Sequence, residues 1–139
     1  MNIVIPMAGL GTRFANEGFI LPKPLIEING KTLIEHSIST LGVEGRYIFI
    51  TRKYDNPEYN DLLTKRLKEI QPDCIEIQLN KPTKGATETA LAAKGYINNN
   101  FPLIITNCDQ ITDWESEKFN EFISNPNIDG VVVTYPSTN

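Results

Sequence analysis

The sequence has few cysteines and histidines and no long apolar run, which are the marks of disulfide-rich, zinc-binding and membrane proteins. It holds one histidine and two cysteines, Cys74 and Cys108, which lie far apart and lack the paired spacing of a zinc site. Reduced thiols of a cytoplasmic protein explain this usage better than a disulfide framework does. No apolar run approaches the ~18 residues that span a bilayer, and no basic flank precedes the short apolar N-terminus. We therefore expect no membrane partner and no signal peptide.

Positive charge is scarce toward the C-terminus. Residues 1–100 carry 12 Lys and Arg against 11 Asp and Glu, whereas residues 101–139 carry Lys118 alone against six acidic residues. The formal net charge of −4 argues against a broad nucleic-acid surface, so we expect no nucleic-acid partner. It leaves room for a small site in which a few cations meet a compact anion.

Five short runs, mostly continuous in apolar residues, are typical of strands buried on both faces of a parallel sheet. These runs are Asn2–Pro6, Tyr47–Thr51, Ile75–Leu79, Leu103–Thr106 and Gly130–Thr134. Helical patterns lie between them, at Thr32–Leu41, from Asp55-Asn56-Pro57 onward, and near Ala86–Ile97 and Trp114–Ile123. The alternation predicts an α/β fold with helices on both faces of a mainly parallel sheet. With 139 residues, we expect one domain over 1–139.

Local signals mark two element boundaries. Thr32 and Glu35 form a capping-box pattern at the start of the first helix, and Gly42 follows its last turn. The dipeptide Asn29-Gly30 favours a type I′ turn and predicts a short hairpin.

A glycine-rich loop follows the first strand. Gly9 and Gly11 allow the backbone to approach a phosphate closely, and successive N–H groups can then face the anion. Phe14 occupies the position of the third glycine of a Rossmann fingerprint, and no P-loop pattern is present. Arg13, a permanent cation with a planar fork, favours phosphate binding over a merely structural turn.

A lysine between two prolines follows on the same connection. In Leu21-Pro22-Lys23-Pro24 the prolines restrict the backbone and remove two donors, which holds one ammonium group at the mouth of the sheet. An ordinary surface lysine is the alternative. The spacing of ten residues from Arg13 favours a shared functional site.

These motifs together resemble a known family. Gly9-Leu10-Gly11-Thr12-Arg13 followed by Leu21-Pro22-Lys23-Pro24 resembles the signature of the sugar-phosphate nucleotidyltransferases, also called nucleoside-diphosphate-sugar pyrophosphorylases. The resemblance continues through Pro24–Lys31, Leu33–His36, Lys84–Ala90 and Asn107–Asp109. The run Asn107–Trp114 suggests the branch associated with capsule and surface-polysaccharide synthesis. The resemblance implies a Rossmann-like three-layer α/β/α fold of the nucleotide-diphospho-sugar transferase type. Because relatives usually continue well beyond this length, we expect an apparently truncated catalytic domain, its N-terminal nucleotide-binding part.

The resemblance also implies a reaction and its residues. An NTP would give its NMP to a phosphorylated acceptor, a sugar 1-phosphate or a related capsule precursor, and release pyrophosphate. Such chemistry needs positioning and charge neutralisation rather than a nucleophile. Arg13 would grip the β- and γ-phosphates, and Lys23 would neutralise the α-phosphate. The nucleotide-binding residues would be Ala8, Gly9, Leu10, Gly11, Thr12, Gly85, Ala86 and Thr87.

Asp109 is the candidate metal ligand. A carboxylate at the carboxyl end of a strand, near a triphosphate, is a hard oxygen ligand for Mg²⁺ (or Mn²⁺), which would bridge phosphate oxygens. From spacing alone, a turn or helix-capping role fits Asp109 equally well, and the resemblance favours the metal. Asp113 is expected to cap the following helix.

Three further functions stay open from the sequence. One is a non-catalytic nucleotide-binding module, and another is a cytidylyltransferase acting on a phosphorylated non-sugar intermediate of capsule modification. A nicotinamide-dependent oxidoreductase is disfavoured by Phe14 and by the lack of an acidic residue that clearly ends the second strand. The expected partners are an NTP and a phosphorylated acceptor, and a homo-oligomer is possible because an uncovered sheet edge favours self-association.

Overall fold

The structure, a computed structural model, describes residues 1–136, so the last three residues of the predicted domain lie outside it. The elements in chain order are β1 (Asn2–Pro6), α1 (Thr12–Asn16), a 3₁₀ helix (Lys23–Leu25), β2 (Glu27–Ile28), β3 (Lys31–Thr32), α2 (Leu33–Leu41), β4 (Arg46–Arg52), α3 (Pro57–Ile70), β5 (Ile75–Leu79), α4 (Ala86–Leu91), α5 (Lys94–Ile97), β6 (Leu103–Ile105) and α6 (Ser116–Ile123). None of the helices in this described part is long and apolar enough to cross a bilayer.

Four parallel strands form the main sheet, in the order β5-β4-β1-β6. β1 pairs with β4 along its whole length, from Asn2 opposite Arg46 to Pro6 opposite Ile50. Its other side pairs with β6. The central strands are continuously buried because helices cover both faces of the sheet. The prediction of an α/β fold with a parallel sheet is confirmed.

Two helical layers enclose the sheet. On one face, Ile34 of α2 and Leu63 and Leu67 of α3 pack against Ile5 and other inward-facing strand residues. On the opposite face, Ala90 and Ala93 pack against Val4, Ile48 and Ile50. The small alanine side chains let the second layer approach the sheet closely. The three-layer arrangement therefore leaves the carboxyl ends of the strands as the open edge, where ligands bind in such folds.

The local signals near α2 are confirmed. The Thr32 hydroxyl accepts from the Glu35 N–H, and the Glu35 carboxylate accepts from the Thr32 N–H, which completes the capping box. Gly42 follows α2 in the left-handed conformation. β2 and β3 form the antiparallel hairpin, with Asn29 and Gly30 at positive φ.

The prediction of a fifth strand over Gly130–Thr134 is wrong. Residues 130–134 form no ladder, and Val132 is 85% exposed. An apolar run becomes a strand only when a neighbouring strand accepts its hydrogen bonds. The edge strand β6 has only three residues, and its single partner strand in the described chain is β1.

Two helices differ from their predicted bounds. The predicted helix Ala86–Ile97 is divided into α4 and α5, because Ala92 and Ala93 donate to the carbonyls three residues before them and tighten the last turn of α4. The helix expected from Trp114 begins at Ser116 and is capped by Glu115, so Asp113 is not its cap.

Candidate functional site

A cavity of about 630 Å³ opens beyond the carboxyl ends of β1 and β6. Because the two strands are adjacent and parallel, the loops that follow them meet at this edge. The cavity wall includes six of the residues that the sequence nominated, Gly9, Gly11, Thr12, Arg13, Lys23 and Asp109. The glycine loop, both predicted cations and the predicted metal ligand therefore share one hollow.

The glycine loop turns the chain sharply from β1 into α1. Gly11 caps α1 with φ of 65°, in the left-handed region that side-chain-bearing residues rarely adopt. A Cβ at Gly11 would also lie 3.7 Å from the Cβ of Lys23. The loop thus brings bare backbone against the lysine segment. No residue of α1 is buried, so Arg13 is presented to the cavity on an exposed turn.

The lysine segment forms a 3₁₀ turn between its two prolines. The Leu25 N–H donates to the Pro22 carbonyl at 2.8 Å, and Pro24 and Leu25 are buried. This anchoring directs the Lys23 side chain into the cavity. Its Nζ lies 2.6 Å from Oδ2 of Asp109, and both side chains are about one-third exposed. The predicted cation and the predicted metal ligand therefore form an ion pair in the ligand-free protein.

Helix α2 holds the loop that carries Asp109. The Ser37 hydroxyl donates to the Asn107 carbonyl at 2.8 Å. The Thr112 hydroxyl and the Trp114 indole N–H donate to the Thr40 carbonyl, at 3.0 and 3.1 Å. Carbonyls in the last turn of a helix lack partners within the helix, so these bonds satisfy a group that otherwise needs water. The loop after β6 is consequently fixed at both ends of its turn.

Cys108 lines the cavity but is not a nucleophile. Burial raises the pKa of its thiol to about 11. The carboxylate of Asp109 acts in the same direction, and the nearby ammonium of Lys23 opposes it. The thiol is therefore protonated at neutral pH, and a thiolate is the reactive form. The side chain is buried and packs in the cavity wall.

The donor set decides what metal the cavity fits. Among residues 1–136 there is no cluster of three or more His, Cys, Asp or Glu side chains that could hold an ion alone. Mg²⁺ is usually held by one or two carboxylates together with substrate phosphates and waters. Asp109, with Asn107 beside it in the cavity wall, fits a Mg²⁺ that arrives with a triphosphate rather than a resident structural metal.

Some nominated residues lie elsewhere. Ala8 is buried, with 3% exposure, and Leu10 lines a second, adjoining cavity of about 140 Å³. Gly85, Ala86 and Thr87 stand at the beginning of α4 and line neither cavity. Their assignment to the nucleotide stays a prediction.

Sequence reasoning missed part of the site. Phe14, Glu17 and Phe19 line the large cavity, and the two rings meet edge to face with centroids 5.7 Å apart. Arg52, at the end of β4, lines the second cavity beside the glycine loop. Phe14 directly follows Arg13 in the chain, so its place in the cavity wall could have been predicted from the motif. Arg52 comes close only through the pairing of β4 with β1, and no local motif marks it.

The chain is similar to proteins that are named as sugar-phosphate nucleotidyltransferases. No protein-family model matches the chain. A mannose-1-phosphate guanyltransferase of Schizosaccharomyces pombe is 27% identical over 153 aligned positions that include 99% of this chain. A mannose-1-phosphate guanylyltransferase catalytic subunit beta of Xenopus tropicalis is likewise 27% identical, over 96% of this chain. These relatives are longer, since the chain spans 42% of the fission-yeast protein and 37% of the frog protein.

Solved structures of sugar-phosphate nucleotidyltransferases share the fold. A nucleoside-diphosphate-sugar pyrophosphorylase of Vibrio cholerae superposes with a TM-score of 0.61 at 24% identity, over 85% of this chain and 52% of that one. A UDP-glucose pyrophosphorylase complexed with UDP-glucose gives 0.62 at 20% identity, over 89% and 53%. The shared part is therefore about half of each solved chain. These likenesses confirm the Rossmann-like fold expected from the sequence.

Proposed function

We propose that this chain binds an NTP with Mg²⁺ and transfers its NMP to a phosphorylated acceptor, releasing pyrophosphate. The observation that carries the proposal is the meeting of Arg13, Lys23, Asp109 and the glycine loop in one cavity at the carboxyl edge of the sheet. An acceptor oxygen would attack the α-phosphorus in line, forming one P–O bond as the bond to pyrophosphate breaks.

The chain's own groups match this chemistry. The N–H groups of the glycine loop and the guanidinium of Arg13 offer donors to the departing pyrophosphate. Lys23, held on its 3₁₀ turn, offers an ammonium to the charge that builds between the attacking and transferred phosphates. No side chain is required as a nucleophile, which agrees with the protonated thiol of Cys108.

The proposed metal ligand is Asp109, which forms the ion pair with Lys23. Asp109 would hold Mg²⁺, and a bound divalent cation neutralises phosphate charge in such transfers. The carboxylate of Asp109 already accepts from the ammonium of Lys23 at 2.6 Å. A Mg²⁺ held by Asp109 would therefore lie close to Lys23, and both positive charges would face the phosphates.

The finer identity of the substrates is also part of the proposal. The fission-yeast relative is named for mannose 1-phosphate and a guanylyl group, and one structural neighbour carries UDP-glucose, so a sugar 1-phosphate is the first acceptor to test. The resemblance of Asn107–Trp114 to the capsule branch adds cytidine nucleotides and phosphorylated non-sugar acceptors to the panel.

A pyrophosphate-release assay tests the proposal. The four nucleotides CTP, UTP, dTTP and GTP are each incubated with Mg²⁺, with and without sugar 1-phosphates, and binding is followed separately by thermal shift. A bound nucleotide at 100 times its Kd raises stability by about 2.7 kcal/mol. We expect one NTP to bind and to release pyrophosphate only with an acceptor present.

Two other outcomes would have different meanings. Binding of an NTP without turnover over the whole acceptor panel would favour the non-catalytic nucleotide-binding module. Failure of all four nucleotides to bind, in the presence of Mg²⁺ and with the protein folded, would overturn the proposal.

A further inference from the structure

Arg52 lies beside the glycine loop. It is the last residue of β4, which pairs with β1, and the Met7 N–H at the start of the loop donates to the β4 carbonyl of Ile50 at 2.9 Å. Nη2 of Arg52 lies 3.5 Å from the carbonyl oxygen of Leu10, in the middle of the glycine loop. The guanidinium thus reaches from one strand end to the loop of the next.

A contact with Tyr54 holds the guanidinium at this position. Its central carbon lies 4.5 Å from the ring centroid of Tyr54, a cation–π distance. Burial raises the pKa of Tyr54, so the phenol is neutral at physiological pH although Arg52 opposes the shift. Nε of Arg52 is buried without a hydrogen-bond partner in the part of the chain that the structure describes. A buried donor without a partner is unfavourable, so other contacts must compensate for keeping this cation beside the loop.

The geometry of the peptide group shows how the contact of Arg52 with the Leu10 carbonyl affects the loop. The C=O of Leu10 and the N–H of Gly11 belong to one peptide plane, and in the trans form they point in opposite directions. Because Arg52 lies on the side of the carbonyl, the N–H of Gly11 is directed away from Arg52. Gly11 lies between the two cavities, because it lines the small cavity together with Arg52 and the large cavity together with Arg13.

We propose that Arg52 is a positioning residue for the glycine loop. Because Arg52 holds the Leu10 carbonyl, the Gly11 N–H is turned toward the bound triphosphate. This inference rests on the proposed function for the identity of the ligand, but not for the contact between Arg52 and the loop. Arg52 acts through the backbone and does not itself touch the phosphates.

The test compares Arg52→Gln and Arg52→Lys with the matched control Lys53→Gln. Lys53 is the next residue, is exposed, lines neither cavity and carries the same charge. Amide hydrogen exchange over residues 9–14 is measured in the ligand-free proteins, followed by the Kd, KM and kcat for the NTP that wild-type protein binds. Urea unfolding of each variant shows that the fold is retained.

We expect Arg52→Gln to speed exchange of the Gly11 amide by about tenfold and to weaken NTP binding by about tenfold, with KM raised more than kcat is lowered. The loss of a hydrogen bond to a charged group changes an equilibrium constant by about tenfold. Arg52→Lys keeps the charge and should restore part of both effects. Lys53→Gln should behave as wild type.

Three results would overturn the inference. These are unchanged loop exchange in Arg52→Gln, wild-type NTP affinity in that variant, or an equal loss of affinity in Lys53→Gln, which would assign the effect to net charge. If wild-type protein binds none of the four nucleotides, the proposed function fails. The exchange measurement on ligand-free protein then still decides whether Arg52 holds the loop.

Discussion

At the scale of single residues, the site depends on cations that are presented in two different ways. Arg13 stands on an exposed turn with no buried neighbour in α1, whereas Lys23 extends from a 3₁₀ turn whose Pro24 and Leu25 are buried. A preorganised charge needs no reorganisation during the reaction and stabilises the transition state better than a mobile one. Lys23 is therefore the side chain whose loss should affect the chemical step most.

Replacing Lys23 by Ala should lower kcat by about 10²–10³-fold, the range seen when one preorganised electrostatic group is removed. Lys65→Ala is the matched control, because Lys65 is 75% exposed on α3. Its kcat should equal that of wild type. Steady-state kinetics of pyrophosphate release measure both variants, and an unchanged kcat in Lys23→Ala would contradict the role given to this lysine.

The residues of the site were predictable where their signals are local. Gly9, Gly11, Arg13 and Lys23 belong to two short motifs within one connection, and their meeting follows from the position of that connection after a parallel strand. Arg52 could not be found in this way, because its contact with the glycine loop depends on the register of β4 against β1.

At the scale of elements, α2 connects the two halves of the site. Its first turn begins directly after the hairpin that follows the lysine segment, and its last turn accepts hydrogen bonds from the loop that carries Asp109. The stability of α2 therefore sets how firmly both loops are held. The capping box of Thr32 and Glu35 is the contact that begins this helix.

Replacing Glu35 by Ala should lower the free energy of unfolding by about 0.5–2 kcal/mol at pH 7, as the loss of a helix cap does. Burial alone would raise the pKa of Glu35, but the hydrogen bonds with Thr32 and the charge of Arg66 bring it below its usual value. The ionised carboxylate thus adds stability that is present above the pKa of the unfolded state and is lost as pH falls through the folded pKa.

Urea unfolding between pH 7 and pH 3 measures this dependence. The difference between wild type and Glu35→Ala should shrink in acid. Glu35→Gln is the control, since glutamine also accepts from the Thr32 N–H but does not titrate. A difference that stays constant down to pH 3 would show that the charge of Glu35 contributes nothing.

The elements show how far a sequence pattern reaches. α2 could be predicted to within one residue, because its cap, apolar stripe and terminal glycine all lie within or directly beside it. The apolar run 130–134 has the composition of a strand as well, but its state depends on a ladder partner elsewhere in the chain. Composition specifies what a segment can bury, whereas pairing specifies whether it becomes a strand.

At the scale of the whole molecule, one edge of the sheet is apolar and exposed. Leu103 and Ile105 of β6 are 42% and 54% exposed, and Val131 and Val133 nearby are 41% and 58% exposed. They line a groove of about 680 Å³ beside the edge strand. Exposed apolar edge strands promote association, and natural proteins often protect them with lysine.

Replacing Ile105 by Lys should therefore reduce concentration-dependent association of this chain while changing the free energy of unfolding by no more than about 0.5 kcal/mol. Light scattering over a concentration series measures the effect. Asn16→Lys, on the exposed helix α1, adds the same charge away from the edge and is the control. Equal reduction by both substitutions would assign the effect to overall charge instead of to the edge.

The hydrogen bonds of Trp114 to α2 give the protein a built-in spectroscopic reporter. Trp114 is the only tryptophan, its indole N–H donates to the carbonyls of Thr40 and Leu41, and its ring packs on Phe119 with centroids 4.4 Å apart. It lies on the segment that also carries Asp109. Fluorescence emission therefore reads the state of that segment directly, and stopped-flow mixing with a metal nucleotide can test whether the segment rearranges, without any attached dye.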